Sequence, residues 1–136
     1  MKLKIITLLS LNIIAISQAA DLQNIPEIND NQLVTIIQRL KNKNYQGDPN
    51  EVFQHNGTHY NILRVVLTSE LLNQAEKRDI IEYLVEILGA DPYLGNLHNG
   101  QTTMDYLEYM RNQGNQELRE IENYLLGLFP AEMDID

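Results

Sequence analysis

Two turn-rich segments of similar make-up divide this chain, and each lies between apolar-periodic stretches. The first holds Gly47-Asp48-Pro49 and then Asn56-Gly57-Thr58. The second holds Gly89-Ala90-Asp91-Pro92 and then Asn99-Gly100-Gln101-Thr102. The offset from Asp48 to Asp91 is 43 positions, and from Thr58 to Thr102 it is 44. Self-similarity at such a period marks a stack of repeated units, each exposing an apolar face that only its neighbour can bury.

The stretches around the links read as helices. Asn31–Lys43 brings Leu33, Val34, Ile36, Ile37 and Leu40 to one face, and Thr58–Leu67 does the same with Ile62, Leu63, Val66 and Leu67. Thr68–Lys77 either prolongs that helix or forms a separate turn. Arg78–Leu88 has the strongest pattern, with Ile80, Ile81, Leu84, Val85 and Leu88 in register, and Gly89 stops it by accepting a positive φ. Thr102–Arg111 carries Met104, Leu107 and Met110. After the Gly114-Asn115 break, Gln116–Leu128 carries Leu118, Ile121, Leu125 and Leu128. No strand-like alternation competes, so the expected class is all-α, with five helices. Thr102 is a candidate N-cap with Asp105 as its return partner, as in a capping box. Thr58 is expected to cap likewise, with Asn61 as a weaker return partner.

Met1–Ala20 has a basic start at Lys2 and Lys4, a short apolar run from Ile5 to Ile16, and small residues at Ser17 and Ala19. That is the pattern of a secretory signal peptide, expected over 1–19. The run is too short to span a bilayer, which takes about 20 residues. The sequence thus divides into a signal, a loose leader over 20–32, a repeat domain over 33–128 and an acidic tail over 129–136. An exported, periplasmic or secreted location follows. The chain has no Cys, so packing alone must hold it.

Charge narrows the partner. The chain has ten Lys and Arg against nineteen Asp and Glu. Two of the lysines and none of the acids fall within the first twenty residues. The rest is strongly acidic, which argues against nucleic acid and against anionic membrane surfaces. A basic protein is the complementary partner.

No Gly-rich phosphate loop, nucleophile elbow or HExxH motif is present. Glu76, Asp79, Glu82 and Glu86 line the polar side of the strong helix and read as a solvated face. His55 and His59 are four apart, but Asn56-Gly57 between them interrupts any helix that would put both imidazoles on one face. With His98 they are the residues a metal-binding or enzymatic alternative would use. The expectation is a non-enzymatic chain with no catalytic residues, no metal and no cofactor. Asn56-Gly57-Thr58 also fits the N-glycosylation pattern in a eukaryotic source.

With its Gly89-Ala90-Asp91-Pro92 segment and the following Gly100-Gln101-Thr102-Thr103-Met104-Asp105, the chain resembles the ankyrin-repeat family. The family's Gly-x-Thr-Pro-Leu-His signature has Thr103, Met104 and Asp105 in place of its Pro, Leu and His. The earlier copy places Thr58, His59, Tyr60 and Asn61 at the Thr-Pro-Leu-His positions, with Asn56 where the family has Gly. The family's period is 33, and here it is about ten longer, with the extra length near Thr68–Lys77 and Asn112–Glu120. The resemblance spans Leu33 to Gly127. It implies a short solenoid of about two and a half helix-turn-helix repeats with extended finger loops. In that arrangement Asp48, Thr58, Gly89, Asp91, Gly100, Thr102 and Asp105 are caps and turns. It also implies a protein-binding surface on the fingers and inner helices. The residues expected there are Phe53, His55, His59, Tyr60, Tyr93, Leu94, Leu97, His98, Thr103, Tyr106 and Tyr109. Tyr suits such a role because it joins a large apolar body to a polar tip. Tyr83 and Tyr124 are expected to pack between helices.

The functional expectation is a module acting outside the cytoplasm, binding and shielding or inhibiting a partner protein. A secreted effector that meets a host protein is the nearest rival. A dimer through Leu125, Leu128 and Phe129 is a third possibility.

Overall fold

Asn29 opens the first helix. Its side-chain oxygen accepts from the Gln32 amide at 2.8 Å, while Gln32 Oε1 accepts from the Asn29 amide at 2.8 Å. These reciprocal bonds satisfy two of the four amides a helix start leaves unpaired. The computed structural model describes residues 25–95 and 100–129. The expected signal segment, Leu97, His98 and nearly all of the acidic tail lie outside these residues.

Helix α1 spans Asp30–Lys41 and buries Ile37 and Leu40. Strands β1 (Phe53–His55) and β2 (Thr58–Tyr60) form an antiparallel hairpin, pairing Phe53 with Tyr60, Gln54 with His59 and His55 with Thr58. Asn56 and Gly57 have φ of 53° and 80°. Positive φ at both residues of a two-residue loop matches the right-handed twist of the strands. Residues 26–28 run parallel to β1. Gln54 donates its amide to the Pro26 carbonyl and accepts from the Ile28 amide, both at 2.8 Å. The stretch just before α1, read from sequence as a leader, is thus fixed by backbone bonds.

Helix α2 (Ile62–Thr68) is buried at Ile62, Leu63, Val65, Val66 and Leu67, so it sits within the core with little free face. Ser69 ends it. After a short break, α3 (Gln74–Glu82) starts on an Asn73–Glu76 capping box. It runs directly into a π-helical turn, Tyr83–Ile87, where the Leu88 amide bonds to the Tyr83 carbonyl. Gly89, at φ +82°, then reverses the chain. Helix α4 spans Thr103–Asn112 and α5 Arg119–Leu128.

The helices pack as two pairs, α2 with α3 and α4 with α5, while α1 lies against α3. The core gathers residues from all five helices and the hairpin, including Leu40, Phe53, Ile62, Ile81, Leu107, Ile121 and Leu125. Polar side chains mark the seam between the pairs. Asn50 Oδ1 accepts from the Asp91 amide at 2.8 Å, Asn61 Nδ2 donates to Thr103 Oγ1 at 3.0 Å, and Lys77 pairs with Glu117 at 3.4 Å. Both links also begin alike, Asp48 accepting from the Asn50 amide and Asp91 from the Tyr93 amide at 2.9 Å.

The expected all-α ankyrin-type solenoid does not stand. The molecule is mostly helical, with five α-helices and a two-stranded antiparallel sheet among the described residues. Three features break the succession of equal rungs. The first link forms a β-hairpin, among the described residues α1 has no helix paired with it as α2 has α3, and Ser69–Asn73 interrupts what the sequence left as possible helix. The two-residue Asn-Gly loop is the physical cause of the first. It places His55 opposite Thr58 and draws Thr58–Tyr60 into a ladder. Thr58 is therefore a strand residue, and Asn61 takes the cap expected of it, accepting from the Arg64 amide at 2.8 Å.

Candidate functional site

The hairpin's side chains meet two helices. On one side, His55 and Tyr60 join Leu33, Val34 and Ile37 of α1 and Val65, Thr68, Ser69, Glu70 and Leu71 around the end of α2. Together they line an open, largely apolar groove of about 420 Å³. Val34 and Leu71 are 41% and 59% exposed there. Large apolar side chains left in water beside a concave surface suit burial against another body. The His55 ring lies at the groove edge, with Nε2 2.6 Å from Asp30 Oδ1. That contact ties the hairpin to the first residue of α1.

On the other side, Tyr60 leads to a stacked cluster. The Arg64 guanidinium carbon lies 5.4 Å from the centre of the Tyr60 ring and 4.8 Å from that of Tyr106. Nη1 donates to the His59 carbonyl at 3.1 Å, while Nε is buried with no acceptor. The faces of the two rings attract the cation. Burial raises the Tyr106 pKa above its ordinary value, against the opposing pull of Arg64. Tyr60 thus belongs to both the groove and the cluster.

The residues expected to bind a partner separate into distinct settings. His55 and Tyr60 come together in the groove, and Tyr106 joins them through Arg64. His59, half-buried, lends its carbonyl to Arg64. Tyr109 is exposed on α4, at 55%. Tyr93 is exposed but makes an edge contact with Phe129, ring centres 5.5 Å apart, and Leu94 beside it is half-buried. Phe53 and Thr103 are buried, Thr103 completely, so both belong to the packing rather than to a contact surface. Leu97 and His98 lie outside the described residues.

The turn and cap residues act locally. Asp48 and Asp91 close the turns that open each link, Gly89 and Gly100 adopt positive φ, and Thr102 and Asp105 exchange bonds of 2.9 and 3.0 Å in a capping box. The acids along α3 and the π-helical turn largely tie elements together. Glu76 pairs with Lys41 and Asp79 with Lys43, while Glu86 accepts from the Tyr124 hydroxyl. Burial first, and then that bond, raise the Tyr124 pKa. Tyr124 also stacks under Arg78 at 4.5 Å, and Tyr83 packs against the core. Among the described residues no group of three or more His, Asp or Glu is arranged to hold a metal ion. No helix there is long and apolar enough to cross a membrane.

Comparison with protein-family models, curated proteins and solved structures finds no match for the chain. The ankyrin resemblance therefore rests on its motif residues alone.

Sequence reasoning missed Arg64, Val34 and Leu71. Val34 shares the apolar face of its helix in the sequence pattern, yet it is 41% exposed. Arg64 had a faint signal: a cation four residues after Tyr60, which would share a helix face with it. Tyr106 comes to it from 42 positions away, which no local pattern shows.

Proposed function

We propose that this chain is a non-enzymatic protein-binding module that is exported and acts outside the cytoplasm. It seats part of a partner protein in the groove between α1, the hairpin and α2, and thereby shields or inhibits that partner. The open groove, lined by His55 and Tyr60 and by the exposed Val34 and Leu71, is the observation that carries this reading. Excess acid supports a basic partner. Five of the eight described Lys and Arg side chains are engaged in ion pairs with carboxylates of the chain. Glu27, Asp48, Glu70, Glu82 and Asp91 meet no cation within the described residues. Such a rim speeds encounter with a basic surface and is screened by salt.

The test is capture of partners from extracts of the producing cell by the chain without its first twenty residues, against a Val34→Asp/Leu71→Asp variant. Both side chains are exposed, so the variant is expected to fold normally. Recovery of a defined partner by the parent chain, lost in the variant and weakened by salt, is the expected result. A partner retained equally by both would take the groove out of the function.

A further inference from the structure

We infer that Arg64, held between Tyr60 and Tyr106, is a receptor for a single carboxylate presented by a bound polypeptide. The inference rests on the partner-binding reading for its purpose, and on its own geometry for its chemistry. Arg64 has five N–H donors, and one hydrogen bond to protein is made from its guanidinium, from Nη1 to the His59 carbonyl. Among the described residues no carboxylate lies within ion-pair distance of it, although acids outnumber bases across the molecule.

Aromatic rings 4.8 and 5.4 Å from the guanidinium carbon hold its plane, and Nε is buried without an acceptor while the side chain as a whole stays partly exposed. A guanidinium so placed has lost part of its hydration without gaining a counter-charge, which leaves an incoming anion something to gain. Its planar fork matches the two oxygens of a carboxylate. One guanidinium in a strongly acidic molecule suits a monoanion. A phosphate dianion would need more cations than the site has and would meet the surrounding negative field. An Asp or Glu set within an otherwise basic segment satisfies both features: the acid reaches Arg64, and the bases meet the rim.

The test is an NMR titration of the chain without its first twenty residues, following the Arg64 Nε–H and the Tyr60 and Tyr106 ring signals. The probes are the blocked peptide acetyl-Lys-Gly-Asp-Gly-Lys-amide, its Asn counterpart, and inorganic phosphate. Saturating shifts with the Asp peptide are expected, at least about tenfold weaker with the Asn peptide, as the loss of a charge-assisted hydrogen bond implies. Arg64→Gln should abolish the difference between the two peptides, and Arg64→Lys should reduce it by losing the paired geometry. Equal shifts from both peptides, or tighter binding of phosphate, would overturn the assignment. The titration of the parent chain decides the matter even if Arg64→Gln fails to fold. A partner captured through Val34 and Leu71 but indifferent to Arg64→Gln would remove this receptor and leave the proposed function standing. An Asp-selective response with no partner captured would do the reverse.

Discussion

The side chain of Asn61 serves two helices that lie 42 residues apart in sequence. Its Oδ1 accepts from the Arg64 amide at 2.8 Å and caps α2, while its Nδ2 donates to Thr103 Oγ1, at 3.0 Å, in the first turn of α4. Both residues are buried, Asn61 at 3% and Thr103 at 0% exposure. A buried amide with both ends bonded fixes the register of one helix pair on the other, because a shift would leave polar groups unpaired.

Asn61→Ala should therefore destabilise the fold by about 2–3 kcal/mol, the sum of a lost cap and a buried bond. Thr103→Val should cost about 1–2 kcal/mol by leaving the Asn61 amide without its acceptor. Urea unfolding of both singles and the double mutant gives the coupling. Purely additive losses would show that the contact does not link the two pairs.

Glu122 is 3% exposed, with Oε2 accepting from Arg111 Nη1 at 2.9 Å and Oε1 buried without a partner. Removing Arg111 strands a carboxylate inside the α4–α5 contact. Arg111→Met is expected to cost roughly 3 kcal/mol, and Arg111→Met/Glu122→Leu much less. Thermal melts at neutral pH check the order. A double variant less stable than the single would contradict it.

The Tyr45 ring lies across Gly47, where an added Cβ would fall 2.7 Å from Tyr45 Cζ. Burial, helped by Glu51 and Asp48, pushes the Tyr45 hydroxyl up to about 12. A raised phenol pKa means that the folded state holds the proton more tightly than the unfolded one. Its contribution is present in full below pH 10 and is lost as pH rises towards 12. Tyr45→Phe should flatten the alkaline fall in stability over that window. Gly47→Ala should displace the ring and return its ionisation, followed by ultraviolet absorbance, towards the ordinary value.

Glu76 behaves oppositely. The bond it accepts from the Asn73 backbone, and then Lys41, hold its pKa below the usual carboxylate range. A depressed carboxyl pKa gives stability that is present above the unfolded value and lost as pH falls through the folded one. Asn73→Ala breaks the capping box and should cost about 1 kcal/mol. Only the bond from the Glu76 amide to Asn73 Oδ1 is lost, while the Asn73 backbone amide still donates to the Glu76 carboxylate. Side-chain carboxyl shifts read by NMR should therefore show the Glu76 midpoint still below the usual range in that variant, and a midpoint back at the ordinary value would put the cause elsewhere.

Much of the helical layout was written in local pattern. The apolar spacing of Ile80, Ile81 and Leu84, the Thr102–Asp105 box and the stop at Gly89 need only neighbours a few residues away, and each occurs where the sequence placed it. The hairpin was also legible, since Asn56-Gly57 is a strong two-residue turn signal. It was read instead as the approach to a helix, because Thr58 looked like a cap and the strands are only three residues each.

The sequence by itself determined the amphipathic helices, their stops, the acidic surface and the recurrence of the two links, all of them short-range or additive properties. Tertiary structure decided that Asn61 caps α2 in place of Thr58, that Val34 and Leu71 face water, and that Tyr60 and Tyr106 close on Arg64. Those outcomes depend on how separate segments lie side by side, and a contact between residues 42 positions apart leaves no periodic trace in the chain.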